Sequence, residues 1–106
     1  MTGIEHRWSE RKPINMEVEI FYTPMGMVPG RTRDVSLEGM FVETGGVHLP
    51  RHARLEVTFR TAGHQGPCEH RVPAYVVHGN ERGVGLMLDH IEPRGFRALR
   101  YVLNAA

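Results

Sequence analysis

Apolar and polar side chains alternate along Ile14-Asn15-Met16-Glu17-Val18-Glu19-Ile20-Phe21-Tyr22. Isoleucine, methionine, valine and tyrosine recur at every second position, whereas Asn15, Glu17 and Glu19 fall between them. Successive side chains of a β-strand point to opposite faces of the sheet, so this period predicts a strand with one face in a core and the other in water. The first strand is therefore expected over residues 14–22.

Turn-forming residues divide the chain that follows into five more short strands. The segment 23–30 is rich in proline and glycine and predicts a turn or a hairpin connection. In the strand expected around Pro73, that proline indicates an edge or a bulge, because it cannot donate to a central ladder. The predicted strands cover about 30–35, 39–43, 55–60, 69–77 and 84–88.

A helix is predicted at the end of the chain. Glu92-Pro93 suits a helix start, and Phe96, Leu99 and Leu103 recur at helical spacing. So short a helix needs a sheet on which to pack its apolar stripe. The sequence thus predicts an all-β fold, a six-stranded antiparallel β-barrel with a short C-terminal α-helix.

The segment before the first strand is polar, carries several charges and ends at Pro13. We interpret it as a flexible N-terminal arm. The expected organisation is a single domain, 1–106, with the arm at 1–13, the barrel at 14–91 and the helix at 92–104.

Composition argues against several classes of function. A net charge of +1 over 106 residues is too small to attract a nucleic-acid polymer or a membrane surface in bulk. The lone Cys68 cannot form an intramolecular disulfide and fits a reducing compartment. No apolar run approaches the length of a signal peptide or a spanning helix, so we expect a cytoplasmic protein without membrane insertion.

Two short motifs place charged and polar side chains outside the predicted core. Arg7 and Arg11 lie in the arm, and guanidinium groups suit bidentate contacts with phosphate or with the guanine edge. Asp34, Ser36 and Gly39 share one predicted turn, where a carboxylate can accept from guanine N–H donors. Structural roles remain open for each: solvated arginines, side chains bonded to their own turn, and a glycine at positive φ.

In order and spacing, Arg7-x-x-x-Arg11 followed by Asp34-x-Ser36-x-x-Gly39 resembles the PilZ domain, a bacterial receptor module for cyclic di-GMP. The strand that contains Gly83-Val84-Gly85-Leu86 and the terminal helix also fall where that family has them. The resemblance implies a six-stranded barrel on which the arm wraps the ligand while the Asp-x-Ser-x-x-Gly turn holds a guanine.

The same resemblance implies which residues contact cyclic di-GMP. His6 stands where many members have a further arginine, His78 lies near the position of an aromatic ring in some members, and Gly85 lies in the last strand. The matched residues are Arg7, Arg11, Asp34, Ser36 and Gly39, with His6, His78 and Gly85 as additional candidates.

Enzymatic and metal-binding readings find little support. His48-x-x-x-His52 contains Pro50 and has no further ligands, and the thiol of Cys68 and the imidazole of His70 belong to opposite faces of a predicted strand. We expect no catalytic activity, no metal and no cofactor beyond the ligand cyclic di-GMP.

The expected partner is an unidentified downstream protein, to which the chain binds as a monomer or a homodimer. The alternatives are a pilus-type PilZ adaptor that does not bind the nucleotide, and a barrel that binds single-stranded nucleic acid.

Overall fold

The computed structural model describes residues 10–105, and six antiparallel strands form a closed barrel there with one helix. Around the barrel the strands follow the order β1-β2-β3-β6-β5-β4. The predicted fold class is confirmed. The elements are β1 (Glu17–Tyr22), β2 (Gly26–Val35), β3 (Gly39–Glu43), β4 (Arg54–Gly63), β5 (Gly66–Gly79), β6 (Gly83–Leu88) and α1 (Pro93–Ala105).

The alternation that predicted β1 determines which side chains enter the core. Val18 and Ile20 are buried, at 3% and 0% exposure. They belong to one cluster with the inward side chains of all five remaining strands. The regular strand begins only at Glu17. Residues 14–16 are held beside β2 by Thr32, whose N–H donates to the Met16 carbonyl (2.9 Å). The buried hydroxyl of Thr32 donates to the Ile14 carbonyl (2.6 Å) and accepts from the Met16 N–H (3.0 Å).

The prediction of a connection over residues 23–30 was wrong in its second half. β2 already begins at Gly26, where φ is +80°, and only residues 23–25 form the turn. Pro29 lies within the strand opposite Glu19. Pro29 is tolerated because β2 pairs with β3 only from Arg31 onward, so that among the described strands only β1 is paired with β2 at this position.

Pro73 was predicted to mark an edge or a bulge rather than a central ladder position. β5 as a whole is paired on both sides and its bulge lies at Val76/His78, but Pro73 itself is outside the ladder with β6. Pro73 pairs with Glu56 of β4, while the ladder with β6 starts at the next residue, Ala74. The Pro73 carbonyl still accepts a hydrogen bond from the Asp89 N–H (2.9 Å). Pro73 therefore lies where the ladder between β5 and β6 ends. The N–H that proline lacks could have made only the last hydrogen bond of that ladder.

The helix packs its apolar stripe against the barrel core. Leu99 and Leu103 are buried, at 0% and 5% exposure, whereas Phe96 of the predicted stripe remains 39% exposed. Near the end of α1, the Lys12 ammonium donates to the Leu103 carbonyl (3.1 Å). This contact satisfies a carbonyl that has no partner within the helix.

His70 of β5 is a buried titratable group beside the helix. It is 8% exposed, its ring centroid lies 5.2 Å from that of Phe59, and its Nε2 lies 3.0 Å from the Thr61 hydroxyl. Burial lowers the pKa of His70, and the positive charge of Arg94 lowers it further. The fold thus favours the neutral imidazole.

Acidification is therefore expected to destabilise the protein through His70. The unfolded chain binds this proton near a pKa of about 6.5, so the contribution of neutral His70 is complete above that pH. This contribution to stability is lost as the pH falls from the unfolded-state pKa toward the lowered pKa that His70 has in the folded state. Urea midpoints measured from about pH 7.5 to 5.5, above the carboxyl range, should fall.

The variant His70→Gln should flatten this dependence, whereas His64→Gln, at the exposed tip of the β4–β5 hairpin, should preserve it. An unchanged slope in His70→Gln would show that another group causes the effect.

Candidate functional site

One row of residues crosses four strands on the outer face of the barrel. Asp34 of β2 pairs with Phe41 of β3, Phe41 pairs with Gly85 of β6, and Gly85 pairs with His78 of β5. Directly opposite residues of paired strands share a face. Met40 and Val42 belong to the core cluster and Phe41 between them does not, so the row lies on the outer side of the sheet. Phe41 is nevertheless only 2% exposed and Gly85 is buried, whereas Asp34 is partly exposed and His78 is exposed.

Two irregularities in strand pairing shape the row. The β2–β3 register shifts between Thr32 and Asp34, so Arg33 is an extra residue there, and the β5–β6 register shifts between Val76 and His78. Such bulges redirect side chains. Thr32 points inward at 0% exposure, whereas the consecutive residues Arg33 and Asp34 both have side chains at the outer surface.

Asp34 lies between two guanidinium groups. Its Oδ1 is 2.6 Å from Nη1 of Arg11, and its Oδ2 is 3.5 Å from Nε of Arg33. The guanidinium carbon of Arg33 also lies 4.0 Å from the centroid of the Phe41 ring. One carboxylate, two cations and an aromatic face therefore meet at one place, a combination suited to a planar anionic ligand that also donates hydrogen bonds.

The backbone holds Arg11 at this place. Lys12 forms an isolated bridge with Val35, in which each residue donates its N–H to the other's carbonyl at 2.9 Å. The neighbouring Arg11 is thereby kept beside Asp34, although its side chain is 45% exposed. The predicted arm is thus attached to β2 at Lys12.

Ser36 organises the turn between β2 and β3. Its hydroxyl accepts from the N–H groups of Glu38 and Gly39 (both 3.1 Å), and its own N–H donates to the Gly39 carbonyl (2.8 Å). The residue is only 2% exposed. Ser36 therefore acts on the shape of the turn that follows Asp34, as the structural alternative anticipated.

Two glycines of the site permit close approach rather than an unusual backbone. Gly39 does not have a positive φ, but a Cβ at this position would collide with the Leu86 carbonyl of β6. A Cβ on Gly85 would collide with the imidazole of His78. That ring consequently lies across the sheet, stacked toward Phe41 with centroids 6.0 Å apart and an interplanar angle of 27°.

The structure brings most of the predicted site residues to one region. Arg11, Asp34, His78 and Gly85 lie on or beside the row, and Ser36 and Gly39 form the adjoining turn. Arg7 and His6 lie outside the described residues. The site residues that the sequence analysis missed are Arg33 and Phe41. A signal existed for Phe41, an aromatic residue at the outward position between Met40 and Val42.

Metal and membrane features were searched over residues 10–105. No three histidine, cysteine, aspartate or glutamate side chains cluster there in a way that could hold a metal ion. In the same part of the chain, no helix has the length and apolar character needed to cross a membrane.

Comparison with solved structures shows a shared fold. The chain is similar to the PilZ domain of CeSA from a cellulose-synthesizing bacterium, with a TM-score of 0.67, 24% identity, and coverage of 92% of this chain and 98% of that chain. It is also similar to the Bacillus subtilis inhibitor of motility MotI/DgrA, with a TM-score of 0.73, 17% identity, and coverage of 90% of this chain but 48% of that one.

A comparison with curated proteins finds no match. The family model described as PilZ domain matches residues 5–104, which include both sequence motifs and every strand. On this evidence the chain belongs to the PilZ domain family.

Proposed function

We propose that this protein is a cytoplasmic receptor for cyclic di-GMP that relays the signal to a partner protein without catalysing a reaction. The observation that carries the proposal is the position of Asp34, held between Arg11 and Arg33 at the end of the row that leads to His78. Domains of this family generally act as receptors or adaptors for cyclic di-GMP.

Each part of the row has a distinct role in this proposal. Asp34 accepts hydrogen bonds from a guanine, while Arg7 and Arg11 contact phosphates or the O6 and N7 edge of a base. The exposed ring of His78, which lies across Gly85 and is stacked toward the buried Phe41, offers surface to a purine. Ser36 and Gly39 preserve the turn that positions Asp34.

The arm would transmit the signal. Because Lys12 is bonded to Val35, ligand-dependent rearrangement is confined to the chain before that bridge and to the side chain of Arg11. Binding then produces a surface that a partner can distinguish from the ligand-free one. Ordering such a segment costs conformational entropy, which lowers the net affinity.

Isothermal titration calorimetry with cyclic di-GMP tests this function. Arg7→Ala and Arg11→Ala should each weaken binding at least tenfold, or about 1.4 kcal/mol, because each removes a charged contact to the ligand. The melting curve of the free protein should remain nearly unchanged, since the Arg11–Asp34 pair is exposed and such pairs stabilise little.

Arg54→Ala is the matched control, because Arg54 forms a surface pair with Asp89 at 2.9 Å outside the row. It should leave the affinity unchanged. Absence of heat with the unaltered protein at about 50 μM, well above a micromolar dissociation constant, would reject the receptor function.

The alternative is a PilZ-fold adaptor that does not bind the nucleotide. One observation favours it: Arg11 and Asp34 already satisfy each other at 2.6 Å, as a purely structural pair would. A negative titration of a folded protein would favour this alternative.

A further inference from the structure

A groove runs between α1 and the β4–β5 hairpin, on a different part of the surface from the row. A cavity of about 530 Å³ is lined by Arg94, Arg97 and Tyr101 of the helix and by His64 of the hairpin tip. A second cavity of about 370 Å³ shares His70 and Arg94 with it and continues toward the start of α1. We call the two together the helix groove.

The helix contributes one continuous face to this groove. Residues 94, 97 and 101 are spaced by three and four positions, so their side chains follow one another along α1. At a rise of about 1.5 Å per residue they span ~10 Å, which equals roughly three residues of an extended peptide. The helix groove therefore has the dimensions for a short segment of chain.

The larger cavity of the helix groove carries positive charge that no carboxylate among its lining residues neutralises. Arg94 and Arg97 form no ion pair with any carboxylate of residues 10–105, and the one contact shown for the Arg94 guanidinium is with Sγ of Cys68 at 3.7 Å. Among residues 10–105, Glu69 and Glu92 line the smaller cavity, and no acidic side chain lines the larger one. The arginines in strands differ, since each pairs with a carboxylate: Arg31 with Glu17, Arg33 with Asp34, Arg54 with Asp89, Arg60 with Glu19 and Glu69, and Arg71 with Glu69.

Apolar surface separates the two charges from the hairpin. Tyr101 is 61% exposed, and Ala62 and Ala98 lie on the two walls of the larger cavity. An aromatic ring beside a guanidinium group is a common feature of protein-binding surfaces. The groove therefore combines positive charge with a place for one apolar side chain.

We infer that the helix groove binds an acidic, extended segment of a partner protein, with carboxylates on Arg94 and Arg97 and one apolar side chain against Tyr101. The strands of the closed barrel are paired on both sides over much of their length, so we expect a partner to bind through side-chain contacts rather than by adding a strand. A nucleic-acid polymer fits less well, because the net charge is only +1 and the helix presents a single aromatic ring to the groove. This inference rests on the proposed function only in identifying where the downstream partner docks.

The test uses the full ¹⁵N-labelled chain and the blocked peptide Glu-Leu-Asp-Phe-Glu. Amide shifts should change at residues 61–70 and 94–101 and should saturate with a dissociation constant of about 1 mM or lower. The variant Arg97→Gln should weaken binding at least tenfold, or about 1.4 kcal/mol, and the same peptide with lysine in place of its acidic residues should not bind.

Arg51→Gln is the matched control, since it removes one exposed arginine charge from a loop that does not line the groove. It should bind the peptide like the unaltered protein. Non-saturating or scattered shifts, or equal binding of the lysine peptide, would overturn the inference. Stronger binding of an oligothymidine at the same residues would overturn it in favour of a nucleic-acid surface.

The two proposals can fail separately. Arg97→Gln should retain its heat of binding with cyclic di-GMP, and Arg11→Ala should retain peptide binding. If the nucleotide does not bind but the peptide does, the receptor function is rejected and the helix groove stands. If the nucleotide binds but the peptide does not, the inference about the helix groove is rejected and the receptor function stands.

Discussion

Gly39→Ala is expected to lower the free energy of unfolding by about 3 kcal/mol, at the upper end of the usual cost of overpacking. The added Cβ would collide with the Leu86 carbonyl, and a backbone atom in a central ladder cannot move aside as a flexible side chain can. β3 and β6 would have to separate where Gly39 pairs with Met87. Against a typical total stability of about 5–15 kcal/mol, this loss is large.

Urea denaturation followed by fluorescence measures the effect, and Gly79→Ala is the control. A Cβ at Gly79 would meet its nearest atoms at 3.5 Å and 3.6 Å, which is ordinary contact. The control should therefore shift the midpoint little. A fully stable Gly39→Ala that has lost only cyclic di-GMP binding would show that Gly39 serves the ligand directly.

Asp34→Ala is expected to weaken cyclic di-GMP binding more than a hundredfold, or about 3 kcal/mol, which corresponds to two charge-assisted hydrogen bonds. The carboxylate is the only acidic group of the row, and it orients both Arg11 and Arg33. Its removal takes away the acceptor for guanine and also releases the two cations. Stability should change by about 1 kcal/mol or less, because the pairs are at the surface.

Asp89→Ala controls for the loss of a surface carboxylate. Asp89 pairs with Arg54 at 2.9 Å, and its side chain is 25% exposed against 22% for Asp34. Calorimetry should find normal affinity in this variant. Equal losses in the two variants would mean that net charge, rather than the position of Asp34, controls binding.

The strands could be predicted because their signals are local. The alternation of β1 and the turn residues around β3 act over a few neighbouring positions, and the structure places Val18 and Ile20 in the core as that pattern requires. The error at Pro29 and the undecided choice between edge and bulge at Pro73 have a common cause. A proline shows that one N–H is missing, but whether a neighbouring strand needs that N–H depends on residues far away in the chain.

In the candidate site, too, some residues could be predicted from local signals and others depend on distant contacts. Its polar residues were recognisable from spacing and from the resemblance to the PilZ family, and Ser36 proved to be a turn residue through bonds to its near neighbours. Arg33 escaped notice because nothing in its own neighbourhood marks it, and the one local signal for Phe41, an aromatic residue between Met40 and Val42, does not show what the ring contacts. Their importance arises from a bulge in β2 and from the pairing of β3 with β2 and β6.

The sequence by itself determined the element types, the inward face of β1, the apolar anchors Leu99 and Leu103, and the family motifs, since each depends on side-chain chemistry at short spacing. Only the tertiary structure decided that Asp34 stands between Arg11 and Arg33, that Gly39 admits the backbone of β6, and that Arg94 and Arg97 lack carboxylate partners among the described residues. These features arise when distant strands and the helix come together, because strand register and helix docking set which side chains meet.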